Sequence, residues 1–249
     1  MSKIKEPNFQ LYQTFHENAH VQKKIIGKHN FTYINIIEWL EDKVIQKDKK
    51  LKVLDYGCGV GTLSMYLSSI GYEVTGMDIS PKAINTAKLS SSYLNIKNSK
   101  FYLFGTRKFE SKFDLVTCIE VIEHVPSPSK TLADIYKSLK KNGYLFLSTP
   151  SSSAPLYKAG LLNNFEKKVG HLRRYSRDEL ISIIEKGKFK IIAVEEKEGI
   201  LRNILYTSPK LGWIIRFIRG PISVFVTSID NLLIKIFGES NYFVFAQKL

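Results

Sequence analysis

Three glycines at alternate positions, Gly57, Gly59 and Gly61, follow directly on the apolar run Leu51-Lys-Val-Leu-Asp55. Glycine adopts backbone angles that a Cβ forbids and lets a main chain approach a ligand closely. Thr62 to Ile70 then reads as a helix stopped by Gly71. A strand, a glycine turn and a helix in that order place free N–H groups at the carboxyl end of a strand, where open parallel sheets bind their ligands. This unit constrains the chain to an alternating fold.

The rest of the sequence repeats the alternation. Tyr72 to Met77 reads as a second strand ending at Asp78, and Ser80-Pro81 opens a helix with a cap and a first-turn proline. Lys100 to Phe104, Phe113 to Cys118, Tyr144 to Ser148, Lys188 to Glu195 and Asn241 to Ala246 supply five more strands. Thr131 to Leu139 is predicted helical, and Ser176-Arg-Asp-Glu179 is a capping box opening another helix. The fold class expected is α/β: a Rossmann-like, seven-stranded, mostly parallel sheet with helices on both faces and a helical insertion before the last strand. The chain divides as one domain, with a helical cap over 1–48, a cofactor-binding core over 49–198, an insertion or lid over 199–238 and a last strand over 239–249. Residues 8 to 46 are predicted helical, since Phe31, Ile34, Ile37, Leu40 and Val44 recur at helical spacing.

Charge bears on partners. The chain has 37 Lys and Arg against 23 Asp and Glu, a net charge of +14. That balance favours an anionic partner, although the basic residues form no long block. Two cysteines cannot build a disulfide framework, the first residues carry no apolar signal region, and no run reaches the ~18 uncharged apolar residues of a membrane span. A cytoplasmic location, peripheral at the inner membrane face, is expected.

The loop Asp55, Gly57, Cys58, Gly59, Gly61 and the acid Asp78 form the expected cofactor site. A carboxylate at the end of the second strand can accept hydrogen bonds from both hydroxyls of a ribose. The dinucleotide fingerprint has glycine or alanine where this chain has Thr62, which disfavours a nicotinamide-dependent oxidoreductase.

Glu120, Glu123 and His124 are the expected catalytic group. If the chain turns helical after Cys118, positions i, i+3 and i+4 share a face. A histidine with a reference pKa of ~6.5 suits removal of a hydroxyl proton near neutral pH. Two carboxylates and an imidazole could instead hold a divalent ion, or serve only a helix N-terminus and packing; the base reading is preferred and no metal is assigned. Gly170-His-Leu-Arg-Arg-Tyr-Ser176 falls on the acceptor side, so His171, Arg173, Arg174 and Tyr175 are the expected acceptor-binding residues, with arginine forks suited to phosphate or carboxylate.

Val53-Leu-Asp-Tyr-Gly-Cys-Gly-Val-Gly61 resembles motif I of the class I S-adenosylmethionine-dependent methyltransferases. Val74-Thr-Gly-Met-Asp78 resembles their second motif, Phe113 to Val125 the fourth-strand motif, and Leu139-Lys-Lys-Asn-Gly-Tyr-Leu145 the turn before strand five. Cys118-Ile-Glu-Val-Ile-Glu-His-Val-Pro126 is most similar to the O-methyltransferases of ubiquinone biosynthesis. The likeness covers residues 50 to 150 and extends more loosely over 170 to 195. It implies S-adenosyl-L-methionine as cofactor, with Asp55, Gly57 and Gly59 lining its methionine end and ribose, Asp78 on the ribose, Ile79 against the adenine and Ile119 at its edge. Many family members carry an acid after strand three near the adenine amino group; Thr106 stands there in this chain.

The function expected is methyl transfer to oxygen on a small-molecule, glycan or lipid-linked acceptor. The alternatives are a nucleic-acid (RNA) methyltransferase, which the charge suggests, the oxidoreductase already weighed, and a non-catalytic membrane adaptor. Ile119-Glu-Val-Ile-Glu-His124 stands where amino-group methylases of DNA carry an Asn/Asp-Pro-Pro-aromatic motif, so nucleic acid is not favoured. Leu201 to Phe237 is apolar but interrupted by Lys210, Arg216, Arg219, Asp230 and Lys235. It reads as two or three helices broken at Pro209 and Gly220-Pro221 that form a lid, a dimer contact or a contact with an anionic membrane surface.

Overall fold

A computed structural model describes residues 19–44, 50–208 and 210–249. Its centre is one seven-stranded sheet. The strands are β1 (Lys52–Tyr56), β2 (Glu73–Asp78), β3 (Ser99–Leu103), β4 (Phe113–Ile119), β5 (Leu139–Pro150), β6 (Phe189–Lys197) and β7 (Asn241–Lys248). Their order across the sheet is β3-β2-β1-β4-β5-β7-β6. The first five run parallel, and β7 is antiparallel to both neighbours. The order reverses between β1 and β4, whose carboxyl ends therefore leave a crevice between them.

Helices cover both faces. Alternate side chains of the central strands point to opposite sides. Leu54, Val116, Leu145, Leu147 and Val244 pack under α4 (Pro128–Ser138) and α7 (Arg177–Lys186). Val53, Val74, Leu115, Phe146 and Phe243 pack under α1 (Ile34–Lys43) and α2 (Thr62–Ser69). Trp39 of α1 sits against Phe146 at 4.6 Å between ring centroids. α3 (Pro81–Tyr93) begins at the Ser80 cap, whose hydroxyl accepts the Ala83 N–H at 3.2 Å. The Ser176–Glu179 capping box forms at the start of α7.

The sequence expectation of a helix over 8 to 46 is corrected where the structure describes it. Only Ile34–Lys43 is helical, and residues 19 to 33 are turns and irregular chain. The Asn30 amide bonds back to the Gly27 carbonyl, and the Asn30 side chain accepts the Thr32 N–H. Those local bonds compete with helical ones. Residues 8 to 18, 45 to 49 and Pro209 lie outside the described residues.

Two short helices, α5 (Pro155–Lys158) and α6 (Asn163–Val169), follow β5. Between β6 and β7 come α8 (Ile200–Thr207), a 3-10 helix (Gly212–Phe217) and α9 (Pro221–Phe237). Phe31 from the N-terminal segment joins Leu205 and Ile218 in a separate apolar cluster, so the segment before α1 and the insertion cover each other.

Arg202 of α8 is completely buried at this junction. Its guanidinium donates to the Phe31 carbonyl at 2.6 Å and to the Thr227 hydroxyl at 2.7 Å, and it lies over the Phe31 ring. The buried Asp230 carboxylate lies 3.7 Å from it and also accepts the Gly199 and Arg202 amides at 2.7 and 3.0 Å. Removing one member of such a pair strands a charge away from water. Asp230→Ala is expected to cost about 3–5 kcal/mol in urea unfolding. The double variant Arg202→Leu/Asp230→Ala should recover part of that loss; equal or greater loss in the double would show that the two side chains act separately.

Candidate functional site

The glycine loop lies at the carboxyl end of β1. Gly57, Gly59 and Gly61 all take positive φ, at 79°, 51° and 77°. At Gly57 an added Cβ would lie 2.4 Å from Cγ2 of Val121, just past β4. At Gly61 it would lie 2.7 Å from the Phe101 ring. Glycine is therefore required twice over at both positions, for conformation and for space.

Two carboxylates hold the loop. Asp78 accepts the Gly59 N–H at 2.8 Å with one oxygen and the Ser80 N–H at 2.8 Å with the other. Each oxygen keeps a second lone pair for a ligand hydroxyl. Asp55 is 3% exposed and lies beneath the loop, where its oxygens accept the Ser64 hydroxyl at 2.5 Å and the Thr117 hydroxyl at 2.9 Å. Burial raises its pKa against those two hydrogen bonds. Burial also pushes the Cys58 thiol well up. Ile79 and Ile119 are half-buried at the ends of β2 and β4. Thr106 donates its hydroxyl to the Leu103 carbonyl at 2.7 Å and borders a cleft of about 290 Å³ with Ile84, Lys88 and Tyr102.

The segment after β4 differs from the helical face expected for Glu120, Glu123 and His124. Residues 120 to 126 form turns, not a helix. Glu120 takes φ 53°, a conformation uncommon outside glycine, which re-aims the chain at its first step. The three side chains still converge, by way of the turn. Glu120 accepts the Ser148 hydroxyl at 2.6 Å, and Glu123, fully buried, accepts the Thr149 hydroxyl at 3.1 Å. Burial pushes the Glu120 carboxyl up to about 7. Burial and the neighbouring Glu120 carboxylate push Glu123 well up.

His124 sets its Nδ1 3.2 Å from the Gly170 carbonyl. A carbonyl only accepts, so Nδ1 carries the proton and the lone pair is on Nε2. Nε2 lies 3.7 Å from Glu123 Oε1. Burial, followed by the nearby His171, lowers the His124 pKa to about 4, so the ring is neutral at pH 7. That value is below the reference on which the sequence reading relied.

The residues expected on the acceptor side divide into two groups. Tyr175 and Arg173 brace the turn: the Tyr175 hydroxyl donates to the Ile122 carbonyl at 3.3 Å, and Arg173 donates to the Val125 and Pro126 carbonyls at 2.6 and 3.4 Å. Both are thereby engaged with the chain's own carbonyls. His171 and Arg174 meet at Glu166, whose two oxygens lie 2.9 Å from His171 Nδ1 and 2.7 Å from Arg174. Burial would raise Glu166, but these bonds overcome it and hold the carboxyl at about 2. The His124 and His171 rings meet edge to face at 4.8 Å.

Glu123, His124 and His171 offer donor atoms within 4.8 Å of one another, a set able to hold a metal ion among the described residues. Asn241 bridges Glu120 at 3.4 Å and Glu198 at 2.9 Å. Glu166 and Asn241 were not identified from sequence. Glu166 lies in Leu162-Asn-Asn-Phe-Glu-Lys-Lys-Val169, which carries no motif, and Asn241 reads only as the first residue of a strand.

Comparison with known proteins gives the chain's family and relatives. A family model described as a methyltransferase domain matches residues 29–194. The chain is 34% identical over 125 residues to the ubiquinone biosynthesis O-methyltransferase of Thiobacillus denitrificans, covering 49% of this chain and 53% of that one. It is 41% identical over 104 residues to the mitochondrial enzyme of that name from Schizosaccharomyces pombe, covering 40% of this chain and 38% of that one. The chain therefore spans about half the length, or less, of these curated relatives. A solved S-adenosylmethionine-dependent methyltransferase structure from Methanosarcina mazei superposes with a TM-score of 0.58 at 21% identity, over 84% of this chain and 97% of that one. This likeness supports the seven-stranded fold read from the sequence.

The raised Glu120 carboxyl has a consequence for stability. Its folded pKa of about 7 lies above the ordinary value of 4.5, so the folded chain holds a proton that the unfolded chain releases. The contribution is fully present below pH 4.5 and is lost as pH rises to about 7, at up to about 1.4 kcal/mol per pH unit. Glu120→Gln should flatten that part of the stability profile in urea unfolding between pH 4.5 and 7. An unchanged slope would place the titration elsewhere.

Proposed function

The chain belongs to the methyltransferase-domain family, and from that membership we propose that it transfers a methyl group from S-adenosyl-L-methionine to a hydroxyl of a small-molecule, glycan or lipid-linked acceptor. One observation carries the reading: the glycine loop held by Asp78 touches Val121 directly, within the turn that carries Glu120, Glu123 and His124. Donor and acceptor would thus meet across a single side chain. The relatives named for O-methylation support oxygen as the acceptor atom.

The cofactor suits the residues present. Gly57, Cys58, Gly59 and Gly61 would accommodate its methionine end and ribose, with Asp55 fixing the loop from below. Asp78 would accept the ribose hydroxyls on its remaining lone pairs, with Ile79 and Thr106 on the adenine side and Ile119 at the edge. The bound sulfonium supplies an electrophilic methyl. The protein's main task is then alignment of the two partners. His124 presents the Nε2 lone pair and would take the acceptor's proton, with the Glu123 carboxyl 3.7 Å from that same nitrogen. His171 and Arg174 would contact the acceptor, and Arg173 and Tyr175 would position the turn. A base with a pKa of about 4 in this closed environment is weak, so its proton transfer relies on close alignment with the acceptor hydroxyl.

The proposed organisation is one domain: a cap over 1–48, a core over 49–198, a lid over 199–238 and a closing strand over 239–249. A lipid-linked acceptor would bring the protein to an inner membrane face. Among the described residues no helix is long and apolar enough to cross a membrane.

Two variants separate the roles. Asp78→Ala should weaken S-adenosylhomocysteine binding in calorimetry by on the order of tenfold or more. His124→Ala should keep that affinity and lose about 10²–10⁴-fold in turnover, measured with labelled donor on extracted lipids, glycans and small molecules. Tight NAD binding with no S-adenosylhomocysteine binding would refute the reaction assigned. Unchanged turnover in His124→Ala would remove His124 as the base.

A further inference from the structure

Helix α9 has its polar side inward. Its buried residues are Ser223, Thr227 and Asp230, at spacings of four and three along one face. Thr227 and Asp230 are turned inward because they hold the buried Arg202. The opposite face carries Ile222, Phe225, Ile229, Leu232 and Ile236. At 100° per residue these five fall within an arc of about 80°. Phe225, Leu232 and Ile236 are 66%, 62% and 72% exposed. A helix packed on a water-soluble core normally shows the reverse arrangement.

The chain just before α9 continues the pattern. Trp213 and Phe217 of the 3-10 helix are 55% and 62% exposed and touch edge to face at 5.7 Å. Between residues 208 and 238 the cations are Lys210, Arg216, Arg219 and Lys235, all exposed. The one acid in that span is Asp230, and it is buried on Arg202. The exposed surface of the insertion is therefore apolar and cationic without a countercharge.

We propose that the outward face of α9, with Trp213 and Phe217, docks on an anionic phospholipid surface. An apolar stripe flanked by Lys and Arg suits the boundary between acyl chains and phosphate headgroups, and aromatic rings are favoured there. The helix lies in the interface and does not span it. A second copy of the chain is a poorer occupant, because face-to-face packing would oppose two sets of four cations with no exposed acid between them. The surface lies beyond residue 194, where the family match ends, so it is independent of the methyl-transfer reading.

The test is co-sedimentation of the full chain with vesicles of phosphatidylcholine mixed with phosphatidylglycerol, and with phosphatidylcholine alone. Binding is expected only to the mixed vesicles and should weaken with added salt. Phe225→Asp/Leu232→Asp should reduce it on the order of tenfold or more, with melting temperature and S-adenosylhomocysteine affinity unchanged. Should that double variant fail to fold, Ile236→Ser at the most exposed of these positions serves in its place. Failure of the wild type to bind mixed vesicles, or undiminished binding by a folded apolar-face variant, would overturn the proposal. So would a dimer in light scattering that the same variant dissociates, since a second copy would then cover the face.

Discussion

An absent Cβ joins the two halves of the site. Gly57 leaves a space that Val121 fills, so the loop after β1 and the turn after β4 are in contact across the switch in strand order. Any side chain at position 57 would force these elements apart. The separation between the loop and the Glu120–His124 turn is thus set where the Gly57 main chain meets the branched Val121 side chain. Asp78 then ties Gly59 to the end of β2, and Asp55 ties β1 to α2 and β4 from below. A reaction that depends on holding two partners in line gains from such fixed spacing.

Carboxylates are concentrated within a chain of net charge +14. Asp55, Glu123, Asp230 and Glu239 are all buried. They are made tolerable in different ways. Asp230 is matched by Arg202, while Asp55 and Glu123 have mainly hydroxyl partners. A carboxyl with only neutral donors in a dry place is driven towards its protonated form. That explains why Glu120 and Glu123 are raised while Glu166, which meets both His171 and Arg174, is lowered. Glu123 lies 3.7 Å from His124, and Glu166 bonds the His171 ring that meets it, so carboxyl groups of opposed tendency neighbour one neutral imidazole.

Much of the fold was legible because its signals are local. A cap at Ser80, a box at Ser176–Glu179 and three spaced glycines each act within a few residues, and the structure forms all of them as the sequence implies. The helix expected over 8 to 46 overran because Phe31 matches the helical period but is buried for a different reason, against Leu205 and Ile218. The turn at Glu120 was missed because nothing in the residue type announces a positive φ at glutamate. Glu166 and Asn241 were invisible for a plainer reason: each matters through partners that the fold brings from afar, and Asn241 meets Glu120 across 121 positions.

Helix α9 makes the same point about periodicity. Its sequence shows an apolar stripe opposite a polar one, and by habit the apolar stripe would be placed inward. Period alone identifies two faces but cannot say which one meets the protein. The choice is made by Arg202, which is buried by Phe31 and draws Thr227 and Asp230 to itself. Once that guanidinium is inside, satisfying it outweighs burying Phe225 or Leu232, because an unpaired buried charge costs more than an exposed apolar side chain. The apolar face is then left outward as a consequence of charge pairing. An outward apolar face persists at little cost only where something apolar can cover it, and the cations around it select a surface that is also negative.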